Sequence, residues 1–252
     1  MKIAVLSDIH ANIHALEAVW DDLKNENPDG VFCLGDLVGY GAFPNEVISF
    51  IRDHEIPTVI GNYDEGVGFD LADCGCIYRD PFLSRLGEQS LKWSREAVYS
   101  EHKHYLQMLP IQIRNEHHRH RLLFVHGSPR KVNEYLYEDR PQATFERIAK
   151  LAGCDLLLFG HTHLPYQRKV AGTWFINAGS VGKPKDGDPR AGYILLTLKR
   201  RPKVEFRRVM YDVKAASRSI RQAGLPEYFA DVLEAGGLES IDRSVYLERS
   251  VE

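Results

Sequence analysis

Residues 156–163 read LLLFGHTH, and this stretch shows the sequence pattern from which the fold is predicted. Four consecutive apolar residues are typical of a strand that is buried on both faces, and they end abruptly in glycine and histidine. The same arrangement recurs in KIAVLSDIH (2–10), GVFCLGDLVGYG (30–41), IPTVIGNYDEG (56–66), RLLFVHGSP (121–129) and TWFINAGSVG (173–182). The repetition predicts a sheet whose strands finish in polar residues.

Helical patterns lie between several of these runs. The clearest is an apolar stripe at the i, i+3, i+4 and i+7 spacing of a helix, formed by Leu16, Val19, Trp20 and Leu23. Shorter stripes of the same kind occur at 47–51, after Pro44, and at 145–152. The alternation of strands and helices predicts a layered α/β (α+β) fold.

The pattern changes between about residues 70 and 110, where strand-like runs stop and helical spacing takes over. We interpret this segment as a small helical insertion beside the main sheet. Two apolar runs follow, at 111–114 and 121–125, and the polar residues between them predict a β-hairpin. No repeat, low-complexity tract or long linker interrupts the chain, so we expect residues 1–252 to form a single domain.

Composition is that of an ordinary globular protein. The 252 residues are 44% hydrophobic and 27% charged, with a formal net charge of −3. The apolar runs are much shorter than the roughly 20 residues of a membrane span, so we expect no membrane partner. A strand-like start in place of a leader, with only four cysteines, predicts a cytoplasmic protein. The slight acidity makes nucleic acid an unfavourable partner, and the sequence leaves the oligomeric state open.

Seven polar side chains stand at the ends of the predicted strands. They are Asp8, His10, Asp36, Asn62, His126, His161 and His163. Ligands of open α/β sheets bind beyond the carboxyl ends of the strands, so we expect these side chains to converge. Carboxylate, imidazole and amide groups without thiolates suit Mn, Fe, Zn or Co better than a structural zinc site. Each aspartate alone is more typical of a turn or a helix cap, whereas the whole set predicts a metal centre.

Seven ligands exceed the coordination of one tetrahedral ion and imply two divalent cations about 3.5–4 Å apart. Asp36 stands alone on its loop and is the best candidate to bridge them. The net charge of such a centre is positive, which favours an anionic substrate. The residues therefore predict hydrolysis of a small phosphate ester by in-line attack of a metal-bound hydroxide.

Five short motifs occur in order along the chain: Asp8-x-His10, Gly35-Asp36, Gly61-Asn62, Val125-His126-Gly127 and Gly160-His161-x-His163. This series resembles the calcineurin-like metallophosphoesterase superfamily, and the 177–182 segment resembles its small bacterial members. The resemblance implies a β-sandwich flanked by helices and a phosphomonoesterase or phosphodiesterase with two divalent metals. It also implies a division of ligands, with Asp36 as the bridge: Asp8, His10 and His163 on one metal, and Asn62, His126 and His161 on the other.

One position departs from the pattern of that family. Its third motif usually reads Gly-Asn-His-Asp or Gly-Asn-His-Glu, and the histidine contacts the phosphate and protonates the leaving group. Here the motif reads Gly61-Asn62-Tyr63-Asp64. A phenol with a pKa of about 10 stays protonated at neutral pH and could donate a proton, but it is a weaker acid than an imidazolium. The resemblance implies catalytic positions for Tyr63 and Asp64, with weaker turnover of esters that have basic leaving groups.

Four side chains close to the motifs are candidates for substrate binding: Tyr40, Arg130, Lys183 and Arg190. A basic loop beside two cations could clamp a second phosphate or an anionic tail, and a solvated surface is the alternative. We interpret Cys74 and Cys76 as loop thiols packed beside the insertion, with a third metal or a redox site as the alternative.

Two other functions stay open. One retromer subunit resembles this fold and works through protein contacts, so a non-catalytic metal-binding scaffold is one alternative. A nuclease is the other, although the net charge of −3 and the lack of a basic stripe disfavour it.

Overall fold

The computed structural model describes residues 1–78, 80–117, 119–237 and 246, and their strands form two sheets. The first sheet has the order β2-β1-β8-β9 and the second the order β3-β4-β5-β7-β6. The strands are β1 (Lys2–Leu6), β2 (Gly30–Cys33), β3 (Gln112–His117), β4 (His120–Val125), β5 (Leu156–Phe159), β6 (Tyr166–Val170), β7 (Thr173–Asn177), β8 (Ala191–Thr197) and β9 (Lys203–Val209).

The two sheets pack face to face because their inner strands carry apolar residues on the facing sides. Ile3 and Val5 of β1 point into the space between the sheets, and the intervening Ala4 and Leu6 point outward. Across the sheets, the rings of Phe32 and Phe124 stack with their centroids 4.4 Å apart. The predicted β-sandwich flanked by helices is confirmed.

Helices cover the outer face of each sheet. Most of them contribute to the apolar cluster on the outer side of the first sheet: α1 (Ile13–Glu26), α2 (Pro44–Asp53), α3 (Asn62–Gly68), α4 (Pro81–Ala97), α5 (Ser100–Gln107), α7 (Val213–Gln222) and α8 (Glu227–Glu234). Against the second sheet lies α6 (Gln142–Ala152), through Phe145 and Ile148. Each predicted helical stripe lies on a helix, and its apolar residues pack into one of these clusters. Among the described residues, no helix has both the length and the apolar character that crossing a membrane requires.

Two local predictions have different outcomes. The hairpin is confirmed by the antiparallel pairing of β3 with β4, although its strands run to His117 and His120 and make the turn shorter than predicted; His118 lies outside the described residues. The prediction of a strand at 56–60 is wrong, because the pairing described for this segment is a single isolated bridge between Thr58 and Cys33. Pro57 has no N–H to donate to a ladder, and it accepts a hydrogen bond from Cys33 instead. The segment 70–110, predicted to be a helical insertion, contains α4 and α5.

Candidate metal centre

The loops that follow β1, β2, β4 and β5 meet at one edge of the sandwich. Within each sheet this follows from parallel pairing, of β1 with β2 and of β4 with β5, which brings their carboxyl ends side by side. Between the sheets, the backbone N–H of His161 donates to Asp8 Oδ2 at 3.0 Å. The backbone N–H of Asp8 in turn donates to Gly35 O at 3.0 Å. Six of the seven predicted ligands therefore come from these four loops, and the seventh, Asn62, is the first residue of α3.

Asp8, His10 and His163 form the first group of side chains that could hold a cation, with ligand atoms within 4.8 Å of one another. His163 Nε2 lies 3.2 Å from Asp8 Oδ1 and 3.1 Å from His10 Nε2. All three side chains are buried. This is the trio that the family resemblance implies for one metal.

Asp36, His126 and His161 form the second group, by the same distance criterion. Asn62 lies beside it, with Oδ1 3.1 Å from His126 Nε2. Asp36 Oδ2 lies 3.4 Å from His126 Nε2 and 3.6 Å from His10 Nε2 of the first group. Its other oxygen, Oδ1, accepts a hydrogen bond from Tyr63 N at 2.8 Å. One carboxylate oxygen is thus held by the backbone, while the other lies between the two groups.

Backbone carbonyls orient three of the histidine rings. His10 Nδ1 lies 2.9 Å from Val38 O, and His126 Nδ1 lies 2.7 Å from Leu34 O. His163 Nδ1 lies 2.5 Å from the carbonyl of residue 183. Each Nδ1 therefore carries a hydrogen and Nε2 points into the centre, where it offers a lone pair whenever the ring is neutral.

At the centre, two imidazole nitrogens face each other with their lone pairs and without a hydrogen atom between them. His10 Nε2 and His163 Nε2 face each other at 3.1 Å, although neither carries a hydrogen in its neutral form. Asp8 Oδ1 and His161 Nε2 are buried, and neither has a hydrogen-bond partner among the residues that the structure describes. A buried polar atom without a partner costs about 1–3 kcal/mol, and cations at the two groups would satisfy these atoms. The donor set therefore fits divalent metal ions.

Electrostatics keep most of the donors in the form that binds metal. Burial lowers the pKa of His10 to about 3 and that of His161 to about 3, so both rings are neutral. Burial would raise the pKa of Asp8, but the His163 imidazole and its neighbours hold it well below the ordinary range. Burial would also lower the pKa of His126, but the Asp36 carboxylate outweighs it and raises that pKa to about 10. The proton on His126 therefore compensates the negative charge of the Asp36 carboxylate, as a bound cation would.

The backbone is strained at these ligands. Asp8, His10, Asp36, His161 and His163 all have positive φ, between 50° and 65°. Non-glycine residues seldom adopt this conformation, which costs about 1–2 kcal/mol per residue, and such strain concentrates at functional sites. The fold keeps these five residues in an unfavourable backbone conformation, which is consistent with a functional centre rather than with ordinary turns.

The third-motif residues lie inside the wall of the centre. Tyr63 is 1% exposed, its ring packs against His10, and its hydroxyl lies 3.4 Å from that of Tyr78. The Asp64 carboxylate accepts hydrogen bonds from the backbone N–H groups of Asp36, Leu37 and Gly61 at 2.8–3.0 Å. In this geometry Asp64 holds the Asp36 loop and makes no described hydrogen bond to the Tyr63 hydroxyl.

Two of the four predicted substrate-binding residues border the centre. Tyr40 packs edge-on against His10, and the Lys183 ammonium lies 4.3 Å from the centre of the Tyr40 ring. The other two are engaged with carboxylates. Arg130 is ion-paired with Glu134, and the Arg190 guanidinium donates to both carboxylate oxygens of Asp188. Among the described residues, no contact joins either arginine to the metal-binding groups.

Sequence reasoning placed Cys76 in a loop and did not connect it with the ligands. The Asn62 side-chain amide donates to the Cys74 carbonyl and to Cys76 Sγ, both at 3.1 Å, which turns its Oδ1 toward His126. Cys74 Sγ donates to Cys76 Sγ at 3.0 Å. The C-x-C spacing drew attention to both thiols, but only the fold brings them to a predicted ligand.

Asn177 supports the same edge from behind. Its side-chain amide donates to Gly160 O at 2.9 Å and to Thr162 Oγ1 at 3.0 Å, so it fixes the loop that carries His161 and His163. Its position at the end of an apolar run was the available signal.

Comparisons with known proteins bear on the family and the fold. Residues 1–201 match the calcineurin-like phosphoesterase superfamily domain. The uncharacterized protein MJ0912 of Methanocaldococcus jannaschii is 34% identical over 252 residues, covering 93% of this chain and 98% of the relative. The crystal structure of a metallophosphoesterase from Sphaerobacter thermophilus has 32% identity and a TM-score of 0.77, covering 94% of this chain and 99% of that one. Phosphodiesterase YfcE of Escherichia coli is 24% identical over 206 residues, covering 78% of this chain and 87% of the relative.

The superfamily domain spans most of the chain, and two similar proteins with more than 30% identity cover nearly all of it. The resemblance drawn from five short motifs is confirmed: the chain belongs to the calcineurin-like phosphoesterase superfamily.

Proposed function

We propose that this protein hydrolyses phosphate esters, diesters included, with two divalent cations held by the seven predicted ligands. The observation that carries the proposal is the position of Asp36 Oδ2, 3.6 Å from His10 Nε2 and 3.4 Å from His126 Nε2. An oxygen in this position can bind the cation of each group. The likeness to a phosphodiesterase of Escherichia coli supports the diester part of the proposal.

Divalent cations at such a centre polarise phosphoryl oxygens and make water a stronger nucleophile. The protein's own contribution is to hold the donors rigidly, since backbone carbonyls fix the rings of His10, His126 and His163. Burial lowers the pKa of His163, and the positive charges of Lys185 and Lys183 lower it further. Both ammonium groups therefore add positive charge near the metal centre. An anionic ester would be attracted to this edge.

Tyr63 is the proposed proton donor, or hydrogen-bond donor, to the leaving group. Burial raises its pKa well above the ordinary value, so its hydroxyl keeps its proton at neutral pH. A donor of this kind suits leaving groups that need little protonation, such as aryl oxides, better than alkoxides.

The test is turnover of p-nitrophenyl phosphate and bis-p-nitrophenyl phosphate with Mn²⁺, Fe²⁺, Zn²⁺ or Co²⁺, together with elemental analysis of the bound metal. Asp36→Asn should lose at least about 100-fold in turnover and bind fewer than two metals, because it weakens the oxygen shared by both groups. Asp21→Asn is the matched control, since Asp21 lies on the surface and pairs only with Lys24 among its described contacts. No turnover of either ester with any of the metals, by a folded protein, would favour a scaffold, and cleavage of single-stranded DNA alone would favour a nuclease.

A further inference from the structure

A cavity of about 840 Å³ opens beside the metal centre. Three predicted ligand histidines each touch a residue of its wall: His10 packs on Tyr40 at 4.9 Å between ring centres, His161 packs on Tyr135 at 4.1 Å, and His163 Nδ1 donates to Lys183 O. Residues that contact the metal-binding groups therefore also line the cavity. A small phosphate ester would leave most of this volume unfilled.

Tyrosine rings form much of the wall. Tyr135 and Tyr137 lie nearly parallel, with ring centres 5.7 Å apart and planes 14° apart. The hydroxyls of Tyr40 and Tyr78 lie 2.8 Å from each other. Burial raises the pKa of Tyr40, Tyr78 and Tyr135, so these hydroxyls are neutral hydrogen-bonding groups at physiological pH. The wall thus offers flat aromatic faces together with polar edges, which suits a planar ligand that carries hydrogen-bonding groups.

Charges on the wall have both signs. Lys183 and Lys185 line the cavity, and the Lys183 ammonium lies 4.3 Å from the centre of the Tyr40 ring, which packs on His10. Asp80, Glu138 and Asp139 also line the cavity. Ammonium groups near the centre suit phosphate oxygens, and carboxylates suit sugar hydroxyls or exocyclic amines. An acyl chain would form no favourable polar contact with these charged groups, and the carboxylates would repel a nucleic-acid strand running through the cavity.

We infer that the cavity binds the nucleoside part of the substrate, so that the esters hydrolysed are those of nucleoside phosphates. The inference rests on the proposed function, since it places the ester at the metal centre. Tyr135 and Tyr137 provide the surface for the base. Lys185 binds oxygens of a phosphate group other than the one whose ester bond is hydrolysed.

The experiment is calorimetric titration with AMP and with ribose 5-phosphate, which share sugar and phosphate and differ in the base. Each titration is run in EDTA, where no hydrolysis occurs, and again with Mn²⁺. AMP should bind at least tenfold more tightly, equivalent to about 1.4 kcal/mol. Tyr137→Ala should remove most of that ratio and Tyr137→Phe should keep it, because the ring and not the hydroxyl supplies the stacking. Tyr99→Ala, an exposed tyrosine that packs on His102, is the control for loss of a ring elsewhere.

Turnover of the p-nitrophenyl esters is measured on the same preparations. If AMP binds no more tightly than ribose 5-phosphate, or does not bind, the inference is overturned even when both esters are hydrolysed. If AMP binds tightly, with the ratio lost in Tyr137→Ala, the cavity is a nucleotide site, and absence of turnover would then count against the proposed function alone.

Discussion

Alanine at position 160 tests whether the metal centre depends on the close approach of the two sheets. A Cβ atom on Gly160 would overlap Ser7 Oγ and Asp8 Oδ2, and it would lie 3.0 Å from Ser7 Cβ. These atoms belong to the loop after β1, whereas Gly160 belongs to the loop after β5. The variant must therefore push the two loops apart or displace the Asp8 carboxylate.

The cost follows from the hydrogen bonds that the displacement breaks. Asp8 Oδ2 accepts one from Ser7 Oγ at 2.5 Å and one from His161 N at 3.0 Å. A hydrogen bond to a buried charged group contributes about 1.5–3 kcal/mol, so loss of both should lower the free energy of unfolding by about 3 kcal/mol or more. These bonds also aim Asp8 Oδ1 at His163, and loss of such support typically weakens metal binding by about 10–100-fold.

The assay is urea unfolding of the metal-free protein combined with calorimetric titration of Mn²⁺. Gly172→Ala is the control, because Gly172 has φ +87° in the turn between β6 and β7 and its Cβ would meet no atom within 4 Å. It should cost about 1 kcal/mol through backbone strain and leave the affinity for Mn²⁺ unchanged. Ser7→Ala combined with Gly160→Ala removes one of the overlaps and should recover part of the lost stability. A Gly160→Ala protein that binds Mn²⁺ as tightly as the wild type would refute the reasoning.

Three further substitutions test other parts of the site. Cys76→Ala removes a hydrogen-bond acceptor of the Asn62 amide and should weaken the second metal by about tenfold, measured by metal titration, whereas Cys74→Ala keeps the Cys74 carbonyl and should have a smaller effect. Tyr63→His should raise kcat for alkyl phosphates relative to aryl phosphates, because an imidazolium is a stronger acid than a buried phenol; a ratio no higher than that of Tyr63→Phe would contradict this. Arg130→Ala should leave KM for anionic esters unchanged, because the guanidinium is engaged with a carboxylate on its own loop, and a rise in KM would return this arginine to the substrate site.

Much of the fold is encoded in short stretches of sequence. The stripe from Leu16 to Leu23 lies on α1, and the run 156–159 is β5, because periodicity and burial act between near neighbours. The segment 56–60 is the exception, since an apolar run that contains Pro57 cannot form a full ladder. Motif order alone was enough to recognise the superfamily.

The sequence by itself determined which side chains stand at the strand ends, because a polar residue after an apolar run is a local feature. Only the tertiary structure decided which of them meet. The pairing of β1 with β8 joins residues nearly two hundred positions apart, and no local pattern specifies such a contact. The same reason explains why Cys76 lies against Asn62 and why Tyr135 packs on His161. Proximity at the centre is set by the packing of two sheets, and packing depends on the whole chain at once.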